Sequence, residues 1–226
     1  MTSPVLMERP EFIKTRFILC EGDDDKGFLE RIIKERNLPE FQVCQAADFN
    51  SERVGGKPGF VKALAGIEPL PGFSTILKAI LIVTDNDRLE SSFMDTQQAL
   101  TRNGYTPPPS PREVGRIVDK PVAILMIPSD DTQGDFESLG LPAIFDKWPN
   151  AERCVTDFMN CTGANGWAKQ ASVNKARARA AAVGFNEDDP YKGIGHLFRN
   201  RTFSTLHPCF NRIADFLRNF DTMVGI

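Results

Sequence analysis

The chain is organised around the stretch Cys20-Glu21-Gly22-Asp23-Asp24-Asp25-Lys26. The apolar run Phe17-Ile18-Leu19 precedes it and the amphipathic run 28–33 follows it, a pattern that predicts a strand, a tight turn and a helix. The turn holds four carboxylates within five residues. Because like charges at this spacing repel one another, the stretch indicates a site in which bound cations offset the repulsion.

A second acidic turn follows another apolar run. Residues 79–83 are continuously apolar, which is typical of a strand buried on both faces of a parallel sheet, and Thr84-Asp85-Asn86-Asp87 comes directly after them. In an open α/β sheet the carboxyl ends of parallel strands meet at one edge, where such folds place their ligands. We therefore expect Asp85 and Asp87 to lie near Glu21.

The remaining pattern predicts an α/β fold: a mainly parallel sheet of about four strands with helices on both faces, plus a helical C-terminal segment. Periodicity predicts two further strands at 41–44 and 121–128, helices at 28–36, 60–67 and 89–103, and helical structure from Ile144 onward. We assign residues 1–143 to an α/β domain and residues 144–226 to a helical extension packed on it.

Composition limits the classes of function. A net charge of −3 argues against a broadly basic nucleic-acid surface but permits a local basic patch. Residues 1–14 lack the apolar core of a signal peptide, and no apolar run approaches the roughly 20 residues of a membrane span, so we expect a cytoplasmic protein without a membrane partner. The five cysteines form no CxxC pair and there are only two histidines, so a metal would take oxygen ligands.

A third acidic cluster, 129–139, follows the fourth predicted strand. We take Glu137 as a candidate metal ligand, and we interpret Asp130, Asp131 and Asp135 as a solvated loop that contains at most one ligand. The helix predicted over 171–183 carries Lys175, a candidate phosphate contact, and Lys169 is the alternative.

Two further assignments depend on local pattern. In the triplet 23–25 we assign Asp23 and Asp24 to helix capping and Asp25 to the metal site. The glycine-rich stretch 55–59 can turn backbone N–H groups and a lysine toward phosphate. Because it lacks the GxxxxGK[ST] spacing of a P-loop, we favour a simple turn.

The acidic turns and the order of elements resemble the Toprim domain of topoisomerases, bacterial primases, recombination proteins, small RNA-maturing nucleases and the "overcoming lysogenization defect" nucleases. The signature of that domain is a glutamate-glycine turn after the first strand and an Asp-x-Asp turn after a later one. Here these are Glu21-Gly22 and Asp85-Asn86-Asp87, and the resemblance covers residues 16–140.

Within this superfamily the spacing Glu21-x-x-x-Asp25 and the pair Asp135-x-Glu137 are most similar to the nuclease branch. In the lysogenization nucleases the downstream pair is Ser-x-Glu, so Asp135 departs from the pattern. The chain also resembles stand-alone, uncharacterised Toprim-related proteins, which carry Gly-x-x-Glu after the fourth strand, here 134–137, and end in a helical tail.

The resemblance implies phosphodiester chemistry on DNA or RNA, most simply endonucleolytic cleavage, with two Mg²⁺ or Mn²⁺ ions. Asp25, Asp85, Asp87 and Glu137 would hold metal, Glu21 would hold metal or carry a proton, and Lys175 would offset charge on the phosphate. A homodimer or an ATPase partner protein is left open.

Two other classes of function compete with the nuclease. One is a nucleotidyl or phosphoryl transferase on a smaller substrate, which the modest basic content allows. The other is a non-enzymatic Toprim-like module that binds nucleic acid or a protein, which the three acidic turns disfavour.

Overall fold

A computed structural model describes residues 10–49, 52–89, 91–185, 187, 193–199 and 202–226. Its five strands are β1 (Arg16–Cys20), β2 (Gln42–Gln45), β3 (Ala79–Asp85), β4 (Gly115–Ile117) and β5 (Lys120–Ile127), and they form one sheet in the order β2-β1-β3-β5-β4. The strands β2, β1, β3 and β5 pair in parallel, and β4 pairs antiparallel with β5. The predicted α/β class with a mainly parallel sheet is therefore confirmed.

The helices before the third acidic cluster are α1 (Asp23–Glu35), α2 (Gly56–Ala65) and α3 (Ser92–Arg102). The later helices are α4 (Phe136–Lys147), α5 (Pro149–Cys161), α6 (Gln170–Val183), α7 (Ile194–Arg199), α8 (Asn211–Arg218) and α9 (Phe220–Val224). Residues 1–9 of the predicted α/β domain and position 90 of the helix predicted at 89–103 lie outside the described residues.

Helices cover both faces of the sheet, as predicted. Alternate strand residues point to opposite sides, so Ile18, Leu81 and Leu125 pack with α1 and with the later helices. Phe17, Ile80 and other residues of the second set pack with α2 and α3 instead. Because each central strand is buried on both faces, its sequence is continuously apolar rather than alternating.

The C-terminal helices share one apolar core with the sheet. The rings of Phe28 in α1, Phe136 in α4 and Phe198 in α7 lie in mutual contact, with centroid separations of 4.9–5.5 Å. Phe210, just before α8, joins the same cluster at 5.1 Å from Phe28. Among the described residues, no helix is both long enough and apolar enough to cross a membrane.

Several predicted boundaries were displaced. Helix α2 begins at Gly56, inside the glycine-rich stretch, rather than at Phe60. Helix α4 begins at Phe136 and runs through Ile144, across the boundary placed between residues 143 and 144, so the helical region starts earlier than predicted. The division into an α/β domain and an extension stays a prediction.

Candidate metal centre

The parallel register brings three acidic segments to one edge of the sheet. Phe17 of β1 lies opposite Ile80 of β3, and Asp85 at the end of β3 lies opposite Ile127 of β5. Continuing these pairings past the strand ends places Glu21 beside Thr84, and places the residues after β5 beside the Asp85–Asp87 turn. The first turn of α4 then adds Glu137 to the same edge.

Glu21 is held against the end of β3 by two hydrogen bonds. The Thr84 hydroxyl donates to its Oε1 over 2.5 Å, and the Asp85 backbone N–H donates to the same oxygen over 3.0 Å. The backbone carbonyl of Glu21 accepts the Gly56 N–H, which opens α2, over 3.0 Å. The motif glutamate therefore joins β1, β3 and α2, and within the described residues its second oxygen accepts no hydrogen bond.

Asp25 both caps α1 and belongs to the acidic cluster. Gly22 is the N-cap, so Asp25 occupies the third helical position, from which its Oδ2 accepts the Gly22 N–H over 2.9 Å. Burial raises the pKa of Asp25 to about 7, and the Glu21 and Glu137 carboxylates add to the rise. Asp25, rather than Asp23 or Asp24, makes the capping hydrogen bond. Asp23 and Asp24 lie in the first turn of α1, are exposed, and pair with Arg199 at 2.7 and 2.5 Å.

Asp85 contacts the next acidic segment directly. Its Oδ1 accepts the Phe136 N–H at the start of α4 over 3.1 Å. Burial, then the charges of Asp25 and Glu21, raise the pKa of Asp85 well above its ordinary value. Neutralising part of this negative charge would therefore stabilise the ionised form of Asp85.

The turn Asp85–Asp87 is fixed by the buried side chain of Asn86. Its Nδ2 donates to the carbonyls of Ser129 and Thr132 over 2.9 and 3.2 Å, and its backbone pairs with Ile127 and Gly134. These bonds to the loop after β5 set the direction in which the two flanking aspartates point.

Asp87 carries an unsatisfied oxygen. Its Oδ2 lies 3.6 Å from the ammonium of Lys57, whereas its Oδ1 is buried and has no hydrogen-bond partner within the described part of the chain. A buried carboxylate oxygen without a donor is costly unless a cation occupies the position beside it.

Glu137 faces the cluster, and Asp135 does not act as a solvated loop residue. Burial, followed by the charge of Asp135, raises the pKa of Glu137, and Lys175 opposes the rise. Asp135 is fully buried and caps α4: its Oδ1 accepts the Ser138 N–H over 2.8 Å. Asn174 of α6 donates to its Oδ2 over 3.3 Å, so this contact orients the helix that carries Lys175.

Lys175 lies close enough to the acidic edge for the carboxylates to affect it. Burial lowers the pKa of Lys175, but the carboxylates of Glu137, Asp85 and Asp87 together raise it by a larger amount. The net change in the pKa is upward. Lys175 and Lys169 are both exposed, but the charges of the acidic edge act on Lys175, which favours it of the two candidates.

Asp130 and Asp131 are not part of this cluster. Arg212 of α8 pairs with both, and Arg112 also pairs with Asp130 at 3.0 Å. Together with hydrogen bonds from Ser129 and Thr132, Arg212 holds the pKa of Asp131 well below its ordinary value. Asp130 and Arg212 instead line a separate cavity of about 320 Å³ between β5 and α8.

The sequence pattern did not predict that Lys57 contacts the acidic edge. Lys57, in the glycine-rich stretch, reaches Asp87 and also donates to the Ser92 hydroxyl over 2.9 Å. The signal was present as a lysine after two glycines, but only the packing of α2 beside α3 shows where its side chain goes.

The donor set fits a hard divalent cation, although the side chains do not stand in coordination geometry. Among the described residues, no three His, Cys, Asp or Glu side chains are placed to hold one ion. Glu21, Asp25 and Asp85 each give one oxygen to a protein donor. Carboxylate oxygens, one of them orphaned on Asp87, are the ligands that Mg²⁺ and Mn²⁺ prefer.

A family model described as "Protein of unknown function (DUF3226)" matches residues 15–221. The chain belongs to the DUF3226 family. No curated protein and no solved structure matches it. The DUF3226 match spans the sheet and the C-terminal helices alike, so the acidic edge and Lys175 fall within one family unit.

Proposed function

We propose that this DUF3226 protein cleaves phosphodiester bonds in nucleic acid with Mg²⁺ or Mn²⁺, as an endonuclease of Toprim type. The observation that carries the proposal is the convergence of Glu21, Asp25, Asp85, Asp87 and Glu137 at the carboxyl edge of β1, β3 and β5. An uncompensated carboxylate cluster of this kind is the arrangement that divalent cations stabilise.

The residues divide into ligands and charge-balancing groups. Asp25, Asp85, Asp87 and Glu137 supply oxygen ligands, and two cations among them would supply Lewis acidity toward the phosphodiester. Glu21 we assign as a ligand, because its second oxygen is not used by Thr84 or Asp85. Its alternative role is to carry a proton.

Lys175 supplies the positive charge that a phosphoryl transfer requires. Its ammonium responds to Glu137, Asp85 and Asp87, and the raised pKa keeps it protonated at neutral pH. A charged donor beside the reacting phosphate stabilises negative charge that develops on its oxygens.

The Toprim resemblance supports the same reading. Its two signature turns are the segments that carry Glu21 and the aspartates Asp85 and Asp87, and both stand at strand ends in this chain. Membership of DUF3226 adds no activity of its own to the argument.

The test is incubation of the protein with plasmid DNA, single-stranded DNA and RNA, in Mg²⁺, in Mn²⁺ and in EDTA. We expect cleavage that needs metal and that Asp85→Asn abolishes. Asp119→Asn is the control, because Asp119 is exposed at the opposite end of β5 and pairs with Lys120. The proposal is wrong if none of the three nucleic acids is cleaved, or if Asp85→Asn cleaves as fast as the wild type.

A further inference from the structure

Lys57 enters the acidic edge from a helix on the other face of the sheet from Lys175. Helix α2 packs with the apolar set that contains Phe60 and Leu64, whereas α6 packs with the opposite set. The start of α2 is tied to the site, since Gly56 has a φ of 65° and its N–H bonds to the Glu21 carbonyl. A residue with a side chain is disfavoured at this φ, so the glycine at position 56 lets the next side chain, that of Lys57, reach the edge.

The contacts of the Lys57 ammonium place it between α3 and the Asp-x-Asp turn. It donates to Ser92 Oγ over 2.9 Å and lies 3.6 Å from Asp87 Oδ2, and its side chain is only 18% exposed. Ser92 also accepts the Arg88 N–H over 3.0 Å, so the hydroxyl is itself fixed. An ammonium has three donors, and these contacts leave capacity for a further acceptor.

We infer that Lys57 is a phosphate-binding residue, whose ammonium donates to a non-bridging oxygen of a nucleic-acid phosphodiester at the acidic edge. The inference rests on the proposed function and names a residue that binds its substrate. In the metal-free protein Lys57 offsets Asp87, and when cations take over that role the ammonium is free for phosphate. Lys57 and Lys175 then contact the substrate strand from opposite faces of the sheet.

A purely structural ion pair would behave differently from a phosphate contact. A structural lysine that fixes Asp87 in place would, when removed, weaken metal binding and leave the salt dependence of nucleic-acid binding unchanged. Removal of a phosphate-binding lysine lowers the salt dependence of nucleic-acid binding, because the nucleic acid then releases one fewer counterion when it binds. Such a lysine also competes with metal for Asp87, so its removal leaves Mn²⁺ affinity unchanged or raises it several-fold.

The experiment measures binding of a fluorescein-labelled single-stranded DNA, and of an RNA of the same sequence, by anisotropy over a series of KCl concentrations. It is carried out in Ca²⁺, and the integrity of each strand is checked on a gel. We expect Lys57→Gln to lower the slope of log affinity against log salt by about 0.7, the value for one contact on a single strand. Lys57→Arg, which keeps the charge, retains most of the slope and guards against a variant that fails to fold.

Lys62→Gln is the matched control, because Lys62 lies on the same helix and pairs with the exposed Glu52. Its slope should equal that of the wild type. Mn²⁺ titration by calorimetry gives the second readout for each variant. The affinities for the DNA strand and the RNA strand are compared, and the strand that binds more tightly indicates whether the phosphodiester belongs to DNA or to RNA.

Two failures remain distinguishable. If the wild type binds a strand and Lys57→Gln shows the same slope, or loses Mn²⁺ affinity at an unchanged slope, the inference about Lys57 is wrong and the proposed function stands. If the wild type binds neither strand, the inference about Lys57 is wrong, and the proposed function is wrong as well if none of the three nucleic acids is cleaved.

Discussion

Replacing Asp25 by asparagine should stabilise the metal-free protein at alkaline pH. Asp25 is half-buried near Glu21 and Glu137, and its pKa is raised to about 7. Asparagine keeps the hydrogen bond that Asp25 accepts from the Gly22 N–H, because its amide oxygen is also an acceptor. The substitution therefore removes the charge and leaves the cap.

The sign follows from the direction of the pKa change. The pKa of Asp25 is higher in the folded protein than in the unfolded chain, where it is near 4. Stability is therefore highest below pH 4, where the carboxyl is protonated in both states, and it falls as the pH rises through 7. A rise of about three pKa units corresponds to at most about 4 kcal/mol. Because Asp85 can take up a proton in place of Asp25, we expect about 1–2 kcal/mol.

The assay is urea unfolding and thermal melting in EDTA at pH 4 and pH 8. At pH 8 the melting temperature of Asp25→Asn should exceed that of the wild type by about 2–4 °C for each kcal/mol, and at pH 4 the difference should nearly vanish. Asp23→Asn is the control: Asp23 shares the first turn of α1 but pairs with Arg199, so it should lose a little stability at pH 8.

Metal should reverse the order. Mg²⁺ or Mn²⁺ that binds only the folded site stabilises the wild type by about 2.7 kcal/mol at a hundredfold excess over Kd, and Asp25→Asn should gain less. The reasoning is refuted if Asp25→Asn is less stable than the wild type at pH 8 without metal, or if the difference between them does not change with pH.

Three further outcomes are expected. Glu21→Gln should lower Mn²⁺ affinity and turnover together, with partial recovery in excess Mn²⁺; a fall of turnover at unchanged Mn²⁺ affinity in calorimetry would instead assign proton transfer. Asn86→Ala should cost about 1–3 kcal/mol in urea unfolding, because two loop carbonyls lose their buried donor, and it should weaken Mn²⁺ binding. Gly59→Ala should destabilise by about 1–3 kcal/mol, since its Cβ would clash with the backbone carbonyl of Val54, whereas Gly66→Ala has room. Equal melting temperatures for the two variants would contradict the packing of α2.

The sheet could be predicted wherever a strand is buried on both faces. Strands β3 and β5 are continuously apolar, so their sequence alone distinguishes them from amphipathic helices. Strand β4 was missed because it has only three residues, too few for a period to show. It pairs antiparallel with β5, and Gly115 packs closely against the chain at Thr106; no local pattern records either contact.

The acidic edge could also be predicted, because strand ends of a parallel sheet lie together whatever the intervening sequence. The division of labour within it could not. Asp25 caps α1 because Gly22 is the N-cap, and Asp135 is buried because Ser138 and Asn174 bind it. Both outcomes depend on contacts through space, and the composition of an acidic loop does not distinguish a cap from a solvated carboxylate.

The charges of the candidate site come from different parts of the fold. The carboxylates lie at the ends of β1, β3 and β5 and in the first turns of α1 and α4. The positively charged side chains are Lys57 on α2, on one face of the sheet, and Lys175 on α6, on the other face. Helix α6 is oriented through Asn174, which binds the N-cap of α4, and its apolar side belongs to the same core as the sheet. The C-terminal helices therefore bring a positive charge near the carboxylates of the candidate site as well as covering one face of the sheet.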